Sequence, residues 1–241
     1  MNDDLEQLLL NLRLKTVAAR FDEYLAAAEK DGTPVVALFI QLLRAEWQAR
    51  QEAALEARMT RTKLPEQWTL ESFPFKLQTG VNQRQIRTFA ELEFIPKAEN
   101  IVFIGQTGVG KTGLATSLLV KAVQNGYRAL FVSAQTLFDT MYASLADRST
   151  RKLLNTLVKV DLLCIDEFGY LNIKPEQTNV FFKLIEERHR RKPTILTTNL
   201  PYTAWKEVLG NPALTAALLS RLREQCHTVQ INGPCIRPQT G

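Results

Sequence analysis

Apolar residues near the start of the chain recur at steps of three and four: Leu5, Leu8, Leu9 and Leu12, then Leu14, Val17, Phe21 and Leu25. That spacing lays them along one stripe of an α-helix and predicts helix from Asp3 to about Glu29, opened by a capping-box-like Asp3 and Glu6. Lys30-Asp31-Gly32 breaks the pattern. Thr33 then serves as an N-cap with Pro34 at the first helical position, and a second helix is expected to about Arg61, turning Phe39, Leu42, Leu43, Trp47 and Leu55 toward a core. Residues 1–65 are therefore expected to form an N-terminal α-helical domain.

A connector follows, with the boundary placed between Leu64 and Ser72. It holds Pro65, Pro74 and Pro96, the scattered aromatics Trp68, Phe73, Phe75, Phe89 and Phe94, and a short helix predicted around Asn82 to Glu93. After this connector, residues 66–98, the pattern changes. Short apolar or β-branched runs at Asn100–Gly105, Arg128–Ser133, Val160–Asp166, Thr194–Thr198 and His227–Ile231 alternate with helical stretches at Lys111–Asn125, Gln135–Ala146, Arg151–Lys159, Pro175–Arg190 and Asn211–Gln225. Strands alternating with helices predict an α/β fold for residues 99–241, a five-stranded parallel sheet covered on both faces.

Composition narrows the class. The 241 residues are 45% hydrophobic and 23% charged, as expected of a globular chain and not of a disordered one. The longest nearly apolar run, Pro34 to Leu43, is half the roughly 20 residues that span a bilayer, and the opening MNDDLEQ lacks a basic leader. A cytoplasmic protein without a membrane partner is expected. Cys164, Cys226 and Cys235 form no CxxC pair and have only His189 and His227 beside them, so no zinc site or disulfide framework is expected. The net charge of +5 is unevenly held: residues 1–100 carry 13 Lys/Arg against 15 Asp/Glu, the rest 17 against 10. A basic C-terminal half favours a polyanionic partner.

Directly after the first predicted strand comes Gly105-Gln106-Thr107-Gly108-Val109-Gly110-Lys111-Thr112, a complete GxxxxGK[ST] placed between strand and helix. Glycines let the backbone fold tightly enough for its N–H groups to face phosphate oxygens, and the following helix presents its positive end. Lys111 is expected to reach the β- and γ-phosphates, and the Thr112 hydroxyl to meet Mg²⁺. Gly108, Gly110 and Gly113 also match the dinucleotide fingerprint GxGxxG, but that reading needs an acid at the end of the second strand. The strand ends in Phe131-Val132-Ser133-Ala134-Gln135, so a dehydrogenase is discounted.

A second apolar strand, Leu162-Leu163-Cys164-Ile165, delivers Asp166-Glu167 at its C-terminal end, where ligands bind in open α/β sheets. Asp166 is expected to hold Mg²⁺, and Glu167 to orient or deprotonate the attacking water. Asn199, after Thr197-Thr198, is placed to fix that water. An arginine of Ser220-Arg221-Leu222-Arg223, Arg221 or Arg223, reads as a surface charge or as a finger reaching a neighbouring subunit's γ-phosphate, which would require an oligomer. Three basic groups, Arg188-His189-Arg190-Arg191-Lys192, Arg148 with Arg151 and Lys152, and Arg58 with Arg61 and Lys63, suggest nucleic-acid contact through phosphates, with slight sequence preference.

Together GQTGVGKT, LLCIDEFGYL, ILTTNLPYTAW and LLSRL resemble the IstB-like ATPases, AAA+ helpers of transposition that are similar to bacterial helicase loaders. LLNLRLKTVAARF, LLRAEWQAR and TLESFPF extend the resemblance over nearly the whole chain. It implies an AAA+ core with strand order 5-1-4-3-2, ATP with Mg²⁺ as cofactors, multimerisation on duplex DNA with shared active sites, and a separate transposase as partner. It also implies roles: Lys111 and Thr112 as the Walker A pair, Asp166 and Glu167 as the Walker B pair, Asn199 as first sensor and Arg221 as finger. Arg237, in Gly233-Pro234-Cys235-Ile236-Arg237, resembles the family's terminal GxSYR arginine, a nucleotide-sensing contact. Cys235 and Ile236 stand where the family has Ser-Tyr, and Gly113 where a His often follows GKT. With four residues after Arg237, no helical lid is expected. The alternative within the same fold is a helicase loader that grips a replicative helicase through the N-terminal helices. A metabolic P-loop kinase would need an arginine-rich lid for which the later strands leave no room.

Overall fold

The first apolar stripe does not run through as one helix. In the computed structural model, which describes residues 2–169 and 171–237, it splits into α1 (Asp3–Asn11) and α2 (Lys15–Asp31). Arg13 stands between them with φ 61°, a left-handed conformation that interrupts the helical ladder. The N-cap of α1 is Asn2, whose side chain accepts from Asp4 N, so the expected Asp3 and Glu6 cap is displaced by one residue. Leu14 leads into α2 without a side-chain cap. A residue of α3 (Val35–Thr62) takes over: buried Glu46 accepts from Thr16 N at 2.8 Å and Val17 N at 3.2 Å, two of the orphan donors of α2. Arg50 pairs with the other oxygen of Glu46 at 2.8 Å and donates to Arg13 O at 2.5 Å, closing the break from its other side. Burial alone would raise the Glu46 pKa, yet these hydrogen bonds hold it below its ordinary value.

The chain divides into two compact units, Met1–Ala57 and Arg58–Gly241, with the boundary inside α3. The second unit begins with the last residues of α3, followed by an irregular stretch and α4 (Gln83–Ala90), capped by Asn82. Then come β1 (Asn100–Gly105), α5 (Lys111–Gln124), β2 (Ala129–Ser133), α6 (Ala134–Ala146), α7 (Thr150–Lys159), β3 (Leu162–Phe168), α8 (Pro175–Arg188), β4 (Thr194–Thr198), a 3₁₀ turn at Tyr202–Ala204, α9 (Trp205–Leu209), α10 (Pro212–Glu224) and β5 (Cys226–Ile231). Tyr170, in the LLCIDEFGYL run, lies outside the described residues. The five strands pair in parallel in the order β2-β3-β4-β1-β5, the expected 5-1-4-3-2 read from the other edge. The short helices between Tyr202 and Leu209 were not legible, because one turn of helix is too brief to show a period.

Side-chain alternation sorts the strands' residues between two layers. Val102, Leu163, Ile165 and Leu196 join Leu137, Phe138, Leu154, Phe181, Leu184, Leu218 and Leu222 in one apolar cluster beneath α6, α7, α8 and α10. The opposite face is covered by α5, which touches β1 to β4 and is buried from Gly113 through Val120. Among the described residues, no helix is long and apolar enough to cross a membrane.

The basic run at the end of α8 is reassigned by this packing. Arg188 is 2% exposed, and its guanidinium donates to Thr194 Oγ1 at 3.1 Å, Leu157 O at 2.8 Å, Val160 O at 3.1 Å and Pro193 O at 2.5 Å. It ties the ends of α7, β3 and β4 together and is no nucleic-acid contact. Burial pulls its pKa down to about 9, which leaves it charged at neutral pH. Lys192 is likewise spent on Lys159 O and Asp161, and Arg190 pairs with Glu224. Burial would raise the Asp161 pKa, but hydrogen bonds from Arg128 and Lys192 hold it well below the carboxylate range. Replacing Arg188 strands three carbonyls in the interior, so Arg188→Ala is expected to cost about 3–5 kcal/mol in urea unfolding. Exposed Arg191→Ala should stay within about 0.5 kcal/mol. Equal small effects would show that the guanidinium is not a structural tie.

Candidate functional site

At the C-terminal edge of the sheet the loop between β1 and α5 turns back on itself. Lys111 reaches over it, its Nζ donating to Gly105 O at 2.9 Å and Gln106 O at 2.8 Å. Gly108 has φ 84°, and a Cβ there would fall 2.4 Å from Cys235 Sγ, so both backbone angle and space require glycine. Val109 points into the interior, 2% exposed, and anchors the loop from below. Gly110 leads into α5 with a left-handed φ of 92° and no side-chain cap, which leaves the first N–H groups of the helix facing outward.

Beside the loop, β3 ends in Asp166 and Glu167. Neighbours in a regular strand face opposite ways. Here the ladder between β3 and β4 shifts register between Ile165 and Phe168, and Glu167 takes φ 58°, so both carboxylates line the same cavity. Thr197 of β4 fixes this arrangement twice over, donating from Oγ1 to Asp166 Oδ1 at 2.5 Å and accepting from Glu167 N at 2.9 Å. Thr112 Oγ1 lies 3.1 Å from both oxygens of Asp166.

The electrostatics are those of a site with its charges held in like pairs. Burial raises the Asp166 pKa, opposed by hydrogen bonds from Thr197 and Thr112, while the charge of Glu167 adds to the rise. Burial likewise lowers the Lys111 pKa, and the positive Arg237 adds to that against the effect of Asp166 and Glu167. Each side would be relieved by a ligand of the opposite sign. The cavity between them measures about 800 Å³, in the range of pockets that hold a nucleotide-sized ligand.

Most of the residues singled out in the sequence meet here. Thr107, Gly108, Gly110, Lys111, Thr112, Gly113, Asp166, Glu167, Asn199 and Arg237 all line the cavity. Gly105, Gln106 and Val109 form the body of the loop behind them. Arg221 does not join them: its guanidinium donates to Glu186 at 3.1 Å and to Ala217 O at 3.2 Å, and lies 4.8 Å from the Phe182 ring centroid. Further wall residues are Pro65, the connector's Glu66, Trp68 and Phe73, and two from β2, Phe131 and Ser133. The aromatic density of the connector was a signal for the former, but nothing in its spacing said which element it would cover. Cys235 and Ile236 lie against the phosphate-type loop itself, with the Ile236 N–H donating to Gly108 O at 2.9 Å.

Known proteins share both the sequence and the architecture. The profile of the IstB-like ATP binding protein family matches residues 7–241. The protein described as the ATP-binding protein of insertion sequence IS21 in Pseudomonas aeruginosa is 33% identical, over 97% of this chain and 88% of its own. That of insertion sequence IS5376 in Geobacillus stearothermophilus is 31% identical, over 98% and 94%. Among solved structures, DnaI superposes with a TM-score of 0.55 at 22% identity, covering 67% of this chain and 95% of that one. AMPPCP-bound DnaA from Aquifex aeolicus gives 0.59 at 24% identity, over 70% and 51%; at such identities the likeness is one of fold. The chain thus belongs to the IstB-like ATP-binding protein family and is an ATPase whose core has the fold of the DnaI and DnaA structures.

Proposed function

We propose that this ATPase is the nucleotide-switched helper of an insertion-sequence transposase, assembling on duplex DNA in its ATP state and releasing on hydrolysis. The observation that carries the reading is the convergence of Lys111, Thr112, Asp166, Glu167, Asn199 and Arg237 on one cavity. Lys111 and Arg237 meet the phosphates, Glu167 orients or deprotonates the attacking water, and Asn199 fixes that water. Thr112 and Asp166 offer the hard oxygen donors that Mg²⁺ takes, and the ion would offset phosphate charge there. Curated relatives named for insertion sequences, at 31–33% identity over nearly the whole chain, favour this over the helicase-loader reading, which rests on fold-level likeness.

Arg221 supports a site shared between subunits. In its own chain it is held by Glu186 and Phe182, on α8, outside the cavity. We infer that it acts on a neighbour's nucleotide, which makes hydrolysis slow in a lone subunit. Contact with DNA falls to the exposed Arg148, Arg151 and Lys152 at the turn between α6 and α7. Backbone phosphates would be the target, so added salt should weaken it.

Electron microscopy of the chain with duplex DNA should yield ordered assemblies only when ATP is present. Lys111→Ala removes a charge-assisted contact and should weaken ATP binding about 10- to 100-fold, abolishing assembly; assembly equal to wild type would end the switch reading. Glu167→Gln should assemble but hydrolyse at least about 100-fold more slowly. Arg221→Ala should bind ATP normally and lose on the order of 1000-fold in hydrolysis. Mixing Arg221→Ala with Glu167→Gln subunits should restore activity, and the absence of any recovery would place the site within one chain.

A further inference from the structure

One buried side chain outside the cavity joins three separate segments beneath it. Gln78 is 1% exposed. Its Nε2 donates to Val109 O at 2.9 Å and to Pro234 O at 3.0 Å, and its Oε1 accepts the Gly80 N–H at 3.1 Å. A primary amide has two N–H donors and a carbonyl oxygen, and here all three are used. Its orientation follows from the partners, because the reverse would face an oxygen toward two carbonyls and an NH₂ group toward an N–H. The fit is close: a Cβ at Gly233 would fall 1.6 Å from Gln78 Oε1, and one at Gly80 would fall 2.5 Å from Gly233 N.

The partners are not arbitrary points on the surface. Val109 belongs to the loop that carries Lys111, and Pro234 to the segment that carries Arg237. Those two stretches also meet through a backbone bond from Ile236 N to Gly108 O. Without the amide, Val109 O loses its buried donor, and among the described residues the terminal segment keeps the bond from Ile236 as its hydrogen-bonded tie to the loop. Nothing in the catalytic chemistry uses Gln78, and no motif in the sequence marks it.

We propose that Gln78 is a positioning residue that sets the phosphate-binding loop and the Arg237 segment in one register, so that ATP affinity and the Arg237 contact depend on the same amide. The proposal rests on the reading of the cavity as the ATP site and adds a residue that does not touch it. A side chain that served stability alone would lower the melting temperature and leave the contribution of Arg237 intact. A positioning residue makes that contribution conditional.

The test is a double-mutant cycle on the full chain, read by titration with a fluorescent ATP analogue in the presence of Mg²⁺. Gln78→Leu removes all three bonds. Gln78→Glu keeps the size and the acceptor for Gly80 N–H but donates to neither carbonyl. Each is expected to weaken binding about tenfold or more. Arg237→Ala should weaken binding about fivefold or more in the wild-type background, and less than about twofold in either Gln78 background. Amide hydrogen exchange at Ile236 should quicken in both Gln78 variants. The proposal fails if Arg237→Ala costs the same factor in all backgrounds, or if the Gln78 variants bind like wild type. It fails too if both variants lose their fold, since the amide would then hold the domain and not the site. Wild-type protein that does not bind the analogue would instead overturn the reading of the cavity.

Discussion

Asp166 is a carboxylate that the fold has taken out of water and must therefore supply with partners. Burial on this scale disfavours the charged form unless hydrogen bonds compensate. Two hydroxyls do so: Thr197 from β4 and Thr112 from the first turn of α5. Three elements distant in sequence are thereby held to one point, and the remaining geometry of the cavity follows. Thr112 carries with it the loop and Lys111, while Thr197, by also accepting from Glu167 N, turns the second carboxylate to the same side. Compensation is incomplete, as the raised pKa of Asp166 shows, and that residual cost is what a cation at this position would remove.

The opposite wall is made by the connector and by the segment that carries Arg237. Trp68 and Phe73 from the connector and Ile236 from the terminal segment enclose the loop with apolar surface, and Gln78 knits the two segments to it. A phosphate loop works through backbone N–H groups, whose directions are set only as well as the backbone is fixed. The connector, which by composition reads as a linker, is thus part of the site.

Charge illustrates how far a linear pattern can mislead. Four cations in five residues at the end of α8 suggest a basic patch, yet Arg188 is internal and Lys192 and Arg190 are paired. Fixing the guanidinium with four hydrogen bonds offsets its desolvation and holds three chain segments whose carbonyls would otherwise be orphaned. Arg148, Arg151 and Lys152, by contrast, stay exposed.

What the sequence determined by itself is whatever depends on neighbours along the chain. The spacing of Gly105 to Thr112, the apolar run before Asp166 and the alternation of strands with helices are local patterns, and they specified the sheet, its parallel order by resemblance, and most of the cavity's polar residues. What only the tertiary structure decided depends on partners far along the chain. Glu46 breaks the first helix at Arg13 because it caps α2 from thirty residues away. Arg188 turns inward because the carbonyls it meets belong to three other segments, and Phe73 becomes a wall because α5 lies beneath it. Arg221 is held away from its own cavity by Glu186. Such contacts follow from how faces are brought together in space, which no periodicity in one stretch of chain encodes.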